Sequence, residues 1–155
     1  MTDQLTAAEL GARVEQTSVT VPADLTFEQR VTLGNYGWRH EELTEAAFPV
    51  TADQHGAQAQ KLFHFNCSLS SDDAALRIRE AGWEPAAIGD ILAFGEAFPQ
   101  VQVRHPVVGL GSVADIDGKA SAPTLWYDGD RRTLDLLWLD GDWHRNYRFL
   151  GVRRA

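Results

Sequence analysis

Residues 107–152 read VVGLGSVADIDGKASAPTLWYDGDRRTLDLLWLDGDWHRNYRFLGV. Three Asp-Gly dipeptides, beginning at Asp117, Asp128 and Asp140, separate four apolar stretches in this segment. Both residues of an Asp-Gly pair tolerate positive φ, so the pair suits the tight turn of a β-hairpin. Their even spacing is typical of an antiparallel β-meander. We predict its four strands at residues 107–114, 120–127, 131–139 and 145–152.

The residues before the meander carry helix-start signals. Thr6 with Glu9, and Thr26 with Gln29, match the capping box, in which each side chain accepts the backbone N–H of the other residue. Ser70 is an N-cap candidate that acidic residues follow. Helices that precede an antiparallel sheet indicate an α+β domain. The predicted helices span residues 5–16, 26–33, 71–81 and 86–98.

Two segments between these helices are predicted from composition and alternation. Residues 51–60 are polar and contain a glycine, which predicts a surface loop, and the apolar alternation of residues 61–69 predicts a strand. Tyr36 and Trp38 are large aromatic residues in a turn that glycines interrupt. We expect both to pack against the C-terminal sheet, because such side chains gain by leaving water.

Length and composition are those of one globular unit. The chain has 155 residues, of which 44% are hydrophobic and 23% charged, which suffices for a buried core. We divide it into an N-terminal helical segment, 1–60, that packs on the same domain, and a C-terminal region, 61–155. No run of about 18 apolar residues is present, and the N-terminus lacks the apolar core of a signal peptide. We therefore expect a cytoplasmic protein without membrane contact.

Charge and ligand spacing argue against several kinds of site. The net charge of −8 disfavours nucleic acid, whose binding needs a basic footprint. From Asp130 onward, however, six arginines accompany four aspartates, so the C-terminal end is locally basic. The single Cys67 excludes an internal disulfide, and the five histidines lack the spacing of a zinc site. We predict no bound metal and no cofactor.

The C-terminal stretch combines strand alternation with crowded polar and aromatic groups. Leu134, Leu136 and Trp138 share one face of the predicted strand, so we expect Trp138 to be buried. Residues 142–147 read DWHRNY. Trp, Tyr and Arg supply rigid contact area, while Asp, His and Asn supply adaptable hydrogen bonds. The stretch is either an ordinary hairpin with core tryptophans or a displayed recognition surface.

Three motifs resemble a known family. Residues 85–95 read PAAIGDILAFG, residues 106–113 read PVVGLGSV, and a W-x4-W-x4-RFLGVR pattern begins at Trp138. Over about residues 61–154 the chain resembles the C-type-lectin-fold variable proteins of diversity-generating retroelements. The resemblance implies a compact sheet with two helices, which displays diversified side chains near the C-terminus. The implied display positions are Asp135, Leu137, Asp140, Asp142, His144, Arg145, Asn146 and Tyr147.

The same resemblance assigns scaffold roles to Trp138, Trp143, Arg148 and Phe149. Residues 83–86 match only part of the calcium loops of C-type lectins, so calcium-dependent sugar binding is not predicted. The expected function is non-enzymatic ligand binding, with a protein or another macromolecule as the partner. Two alternatives remain open at this point. One is a small metal-independent hydrolase or transferase that uses His and Asp near the C-terminal sheet, and the other is an assembly or structural protein.

Overall fold

The structure is a computed structural model that describes residues 17–155. Within them the chain is a mixed α+β protein, as predicted. The helices are α1 Phe27–Gly34, α2 Ser71–Glu80, α3 Ile88–Ala97 and α4 Val101–Arg104. The strands are β1 Thr17–Val21, β2 Trp38–Arg39, β3 Gly56–Phe63, β4 Leu69–Ser70, β5 Glu84–Pro85, β6 Val107–Val108, β7 Ala114–Ile116, β8 Lys119–Tyr127, β9 Arg132–Trp138, β10 Asp142–Trp143 and β11 Arg148–Arg154.

One large sheet organises these elements. Its main strands follow the order β1-β3-β11-β6-β8-β9-β2, with β5 beside β11 and β7 beside β8. A separate two-stranded ladder joins β10 to β4, where Trp143 lies opposite Leu69. No helix in residues 17–155 is long and apolar enough to cross a bilayer.

Apolar side chains cover both faces of the sheet. On one face Leu134 and Leu136 of β9 belong to a core cluster that includes residues of α1 and α3. On the other face Leu137 of β9 packs against a second cluster, which includes Ala74 and Ile78 of α2. Successive strand residues point to opposite faces, so neighbouring residues of one strand pack into different core clusters. Exposed polar groups are therefore concentrated at the ends of the strands.

The meander prediction is right for two of its three turns. The Asp117-Gly118 and Asp128-Gly129 turns connect β7, β8 and β9 as antiparallel neighbours. The turn at Asp140-Gly141 does not form a hairpin, because β11 leaves β9 and inserts between β3 and β6, parallel to β6. Four consecutive residues of β11, 149–152, are buried. A strand buried on both faces belongs in the middle of a sheet rather than at its edge.

The helices were predicted from local sequence signals, and three of the four predictions are confirmed. At α1 the predicted capping box is present, with Gln29 N donating to Thr26 Oγ1 at 3.1 Å and Thr26 N donating to Gln29 Oε1 at 2.8 Å. At α2 the amide of Asp73 donates to Ser70 Oγ at 3.1 Å. The predicted helix over residues 5–16 lies outside the described residues.

The predicted loop at residues 51–60 is wrong over most of its length. A short 3-10 turn, Ala52–Gln54, leads directly into β3, which ends at Phe63, several residues before the predicted end of the strand at 69. Gln58 and Gln60 of β3 are buried: Gln58 Nε2 donates to Asp90 Oδ1 at 2.9 Å, and Gln60 Nε2 donates to the Asp90 carbonyl at 3.2 Å. Because both side chains are polar, the sequence pattern did not indicate that they belong to a buried strand. The 60/61 division consequently falls inside β3.

Residues 36–39 of the N-terminal segment join the sheet at its β9 edge, whereas β1 forms the opposite edge. There β2 pairs in parallel with β9, and Gly37 N donates to the carbonyl of Arg132 at 2.8 Å. Tyr36 packs against the first core cluster, with the Arg132 guanidinium 4.8 Å from its ring centroid. Tyr36 shows the expected packing and is partly buried, whereas Trp38, whose backbone pairs with β9, stays 41% exposed.

Candidate functional site

Residues 140–147, the crossing segment, carry the chain from the end of β9 to the start of β11. The segment contains β10, whose pairing with β4 brings it beside the start of α2. It holds six of the eight predicted display positions. The other two, Asp135 and Leu137, lie on β9.

Two aromatic side chains anchor the crossing segment in the second core cluster. Trp143 is only 5% exposed, and its indole Nε1 donates to Ser71 Oγ at 2.7 Å. The Tyr147 ring packs on Trp143 at a centroid distance of 5.1 Å and on Trp126 at 6.0 Å. Trp143 also meets Phe149 edge-on at 5.8 Å. The scaffold roles expected of Trp143 and Phe149 therefore agree with their burial.

Carbonyl oxygens of the crossing segment receive hydrogen bonds from other side chains. Ser68 Oγ donates to the Trp143 carbonyl at 3.3 Å, and His64 Nε2 donates to the Arg145 carbonyl at 3.0 Å. An Arg148 guanidinium nitrogen donates to the Asn146 carbonyl at 2.6 Å. These contacts fix the path of the main chain without involving the side chains of residues 144–146.

The predicted display positions divide into two groups by exposure. Five are exposed: Asp140, Asp142, His144, Arg145 and Asn146. Three are partly buried: Asp135, Leu137 and Tyr147. The carboxylate of Asp135 accepts from the amide of Leu136 at 2.7 Å, and burial, with a smaller contribution from Asp135, raises the pKa of Tyr147. The expectation that Tyr147 is largely exposed is therefore wrong, because it packs between two tryptophans.

The expected burial of Trp138 is also wrong. Its side chain is 58% exposed, although Leu134 and Leu136 on the same face of β9 are buried. The apolar cover of this face ends near Leu136, so the last residue of the strand extends beyond it. The Lys119 ammonium lies 4.2 Å from the Trp138 ring centroid, within the range of a cation–π contact.

A surface cavity of about 650 Å³ borders one end of the crossing segment. It lies between the start of α2, the Asp117-Gly118 turn and the Asp140-Gly141 turn. Its charged lining residues are Asp72, Lys119, Asp140 and Asp142. This end of the surface is therefore mainly acidic.

A basic group lies at the opposite end, and sequence reasoning missed it. An Arg148 guanidinium nitrogen lies 3.5 Å from His105 Nε2. Burial, together with the positive charges of Arg148, His64 and Arg104, lowers the pKa of His105 to about 4. Burial and Arg148 likewise lower the pKa of His64. The residues come from three distant parts of the chain, and only the excess of arginine after Asp130 pointed towards them.

No protein-family model, curated protein or solved structure matches this chain. Within residues 17–155, no group of three or more His, Cys, Asp or Glu side chains is placed to hold a metal ion. The features that bear on function are thus the crossing segment, the acidic cavity at one end and the basic group at the other.

Proposed function

We propose that this protein is a non-enzymatic ligand-binding protein that uses the crossing segment to display variable side chains. The observation that carries the proposal is the way in which residues 144–146 are held. The bonds from His64 and Arg148 end on the carbonyl oxygens of Arg145 and Asn146. Every amino acid has a carbonyl oxygen, so these bonds survive substitution of the side chains that face solvent.

The polarity of the surface supports a macromolecular partner. The exposed side chains of Asp142, His144, Arg145 and Asn146 follow one another along the crossing segment, whereas small-molecule sites are mostly apolar. Trp138 adds a large exposed ring near the acidic cavity. Tryptophan and arginine often carry much of the binding energy of protein interfaces.

A C-type-lectin-like scaffold, as the resemblance implies, is part of the proposal. Two features of residues 61–155 support it. This region contains the two longer helices α2 and α3, and the remainder of β3 within it pairs antiparallel with β11. Such an arrangement places the crossing segment at one end of a sheet whose strands are fixed by other residues.

Sequencing the gene from many related isolates tests the proposal. We expect substitutions to concentrate at the exposed codons 140, 142 and 144–146, while codons 143, 148 and 149 stay constant. A nearby partial copy of the 3′ end of the gene, beside a reverse transcriptase, is expected as well. Substitutions spread evenly over exposed positions, such as those of α2, would contradict display by the crossing segment.

A further inference from the structure

A second, smaller cavity lies next to the basic group. It encloses about 200 Å³ between α4 and the end of β8. Polar and aromatic residues from three parts of the chain line it. They include Gln102, Arg104, His105, Trp126, Tyr127 and Asn146. We call this cavity the basic pocket.

Arg148 supports the basic pocket from one side. One guanidinium nitrogen donates to the Asn146 carbonyl at 2.6 Å, and another contacts His105 Nε2 at 3.5 Å. A neutral imidazole carries one N–H donor, so His105 adds a donor to the lining. The residues that line the pocket thus include the guanidinium of Arg104, the imidazole of His105 and the amide side chain of Asn146.

Within the described residues, the arginines at the basic pocket have no carboxylate at salt-bridge distance. Arg39, Arg79, Arg131 and Arg154 each have a carboxylate oxygen within 4.0 Å. Neither Arg104 nor Arg148 has such a partner within residues 17–155, although Arg148 is half-buried. The charged groups that perturb His105 are all basic. Among the described residues, the lining of the pocket contains Arg104 and His105 and no acidic residue, in a protein whose net charge is −8.

We infer that the basic pocket binds a single anionic group, a carboxylate or a phosphate, with Arg104, His105 and Asn146 as its donors. The volume is below the roughly 300–1,000 Å³ usual for a small-molecule site. It suits one charged group of a larger ligand, which Trp126 and Tyr127 contact through apolar surface. Asn146 is also a display position, whereas Arg104 and His105 are not, so the charged part of the proposed site does not depend on the display role.

Titration of the ¹⁵N-labelled protein, followed by two-dimensional NMR, tests the inference. Inorganic phosphate and sodium acetate are added in separate series at constant pH, and sodium chloride is added at matched ionic strength. We expect saturable shifts at the amides of Arg104, His105 and Asn146 with phosphate, acetate or both. The two series distinguish a phosphate site from a carboxylate site, and chloride is expected to give no saturable shift.

Paired arginine variants complete the test. Arg104→Gln removes one exposed charge from the pocket and is expected to weaken binding about tenfold or more, as the loss of a charge-assisted hydrogen bond does. Arg79→Gln removes an exposed charge on α2 that does not line the pocket, and is expected to leave the affinity unchanged. Well-dispersed spectra of both variants establish that they fold. Absence of saturation in both series, or equal affinity in Arg104→Gln and the parent protein, would overturn the inference.

Discussion

Trp138 and Trp143 are five residues apart in the sequence, yet the fold uses them in opposite ways. Trp143 is 5% exposed and donates its indole N–H to Ser71, whereas Trp138 is 58% exposed and faces Lys119. Strand alternation alone predicted a buried Trp138. The periodicity of a strand tells which residues share a face, but it does not tell where the cover over that face ends.

Replacing each tryptophan by alanine separates these roles. Trp143→Ala is expected to lower the free energy of unfolding by about 3–5 kcal/mol, the usual cost of removing a large buried aromatic side chain. Trp138→Ala is expected to cost no more than about 1 kcal/mol, because only surface contacts are lost. Urea unfolding of the two variants measures the difference. Similar losses for both would show that Trp138 is part of the core.

His105 is expected to make stability depend on pH. Its pKa in the folded protein is about 4, below the ordinary histidine value of about 6.5. Between these values the unfolded chain binds more protons, so stability is full above about pH 6.5 and falls as the pH drops towards 4. One proton limits the slope to about 1.4 kcal/mol per pH unit, and solvent screening makes it smaller.

The variant His105→Gln isolates this contribution. It keeps a polar side chain beside Arg148 but cannot become charged. Urea unfolding at several pH values should show a shallower fall for the variant than for the parent protein between pH 6.5 and 4. Identical slopes would mean that His105 does not contribute to the pH dependence of stability.

At the level of elements, the crossing segment should tolerate changes in its exposed side chains. Replacing His144, Arg145 and Asn146 together by alanine removes the exposed contact between His144 Nδ1 and Asn146 Oδ1 but retains the bonds to both carbonyl oxygens. The expected change in unfolding free energy is within about 0.5 kcal/mol per position. The matched control is His64→Ala, which removes a donor to the Arg145 carbonyl and is expected to cost more than the triple variant. If the triple variant unfolds, its side chains belong to the core and the display proposal fails.

Elements with local signals could be predicted from the sequence, and elements placed by distant partners could not. The caps at Thr26 and Ser70 identified α1 and α2 because a cap and its helix lie within a few residues of each other. The hairpins at Asp117 and Asp128 followed for the same reason. The position of β11 depends on β3 and β6, which lie 40 or more residues away, and no local pattern specifies that pairing. The exposure of residues 144–146 could be predicted from their polarity. The basic pocket could be recognised only in the folded structure, because its residues are distant in sequence.

At the scale of the whole molecule, one half-buried arginine joins the N-terminal segment to the rest. Arg132 on β9 donates to the carbonyls of Gly34 and Gly95 at 2.5 and 2.9 Å, and to Gln102 Oε1 at 2.8 Å. It thereby bridges α1, α3 and α4, since Gln102 lies in α4. Its guanidinium also stacks on Tyr36. One side chain thus links α1, α3, α4 and β9, in addition to the apolar packing of α1 and the pairing of β2 with β9.

Adjacent arginine variants test this cohesion. Arg132→Ala is expected to lower the free energy of unfolding by about 3 kcal/mol or more, since buried acceptors lose their donors. Arg131→Ala removes a neighbouring arginine that is exposed and should leave stability almost unchanged. Urea unfolding and hydrogen exchange of α1 provide the measurements. Equal stabilities would show that α1 is held by apolar packing alone.

The main chain of residues 143–148 is held at both ends, which limits how mutation can change this surface. Pairing holds Trp143 to Leu69 at one side, and β11 begins at Arg148 on the other. New side chains can alter the charge, polarity and hydrogen bonding of the crossing segment, whereas an inserted residue would displace Tyr147 from between its tryptophans. Relatives that diversify here would accordingly differ in the chemistry of their partners while recognising footprints of one size and outline.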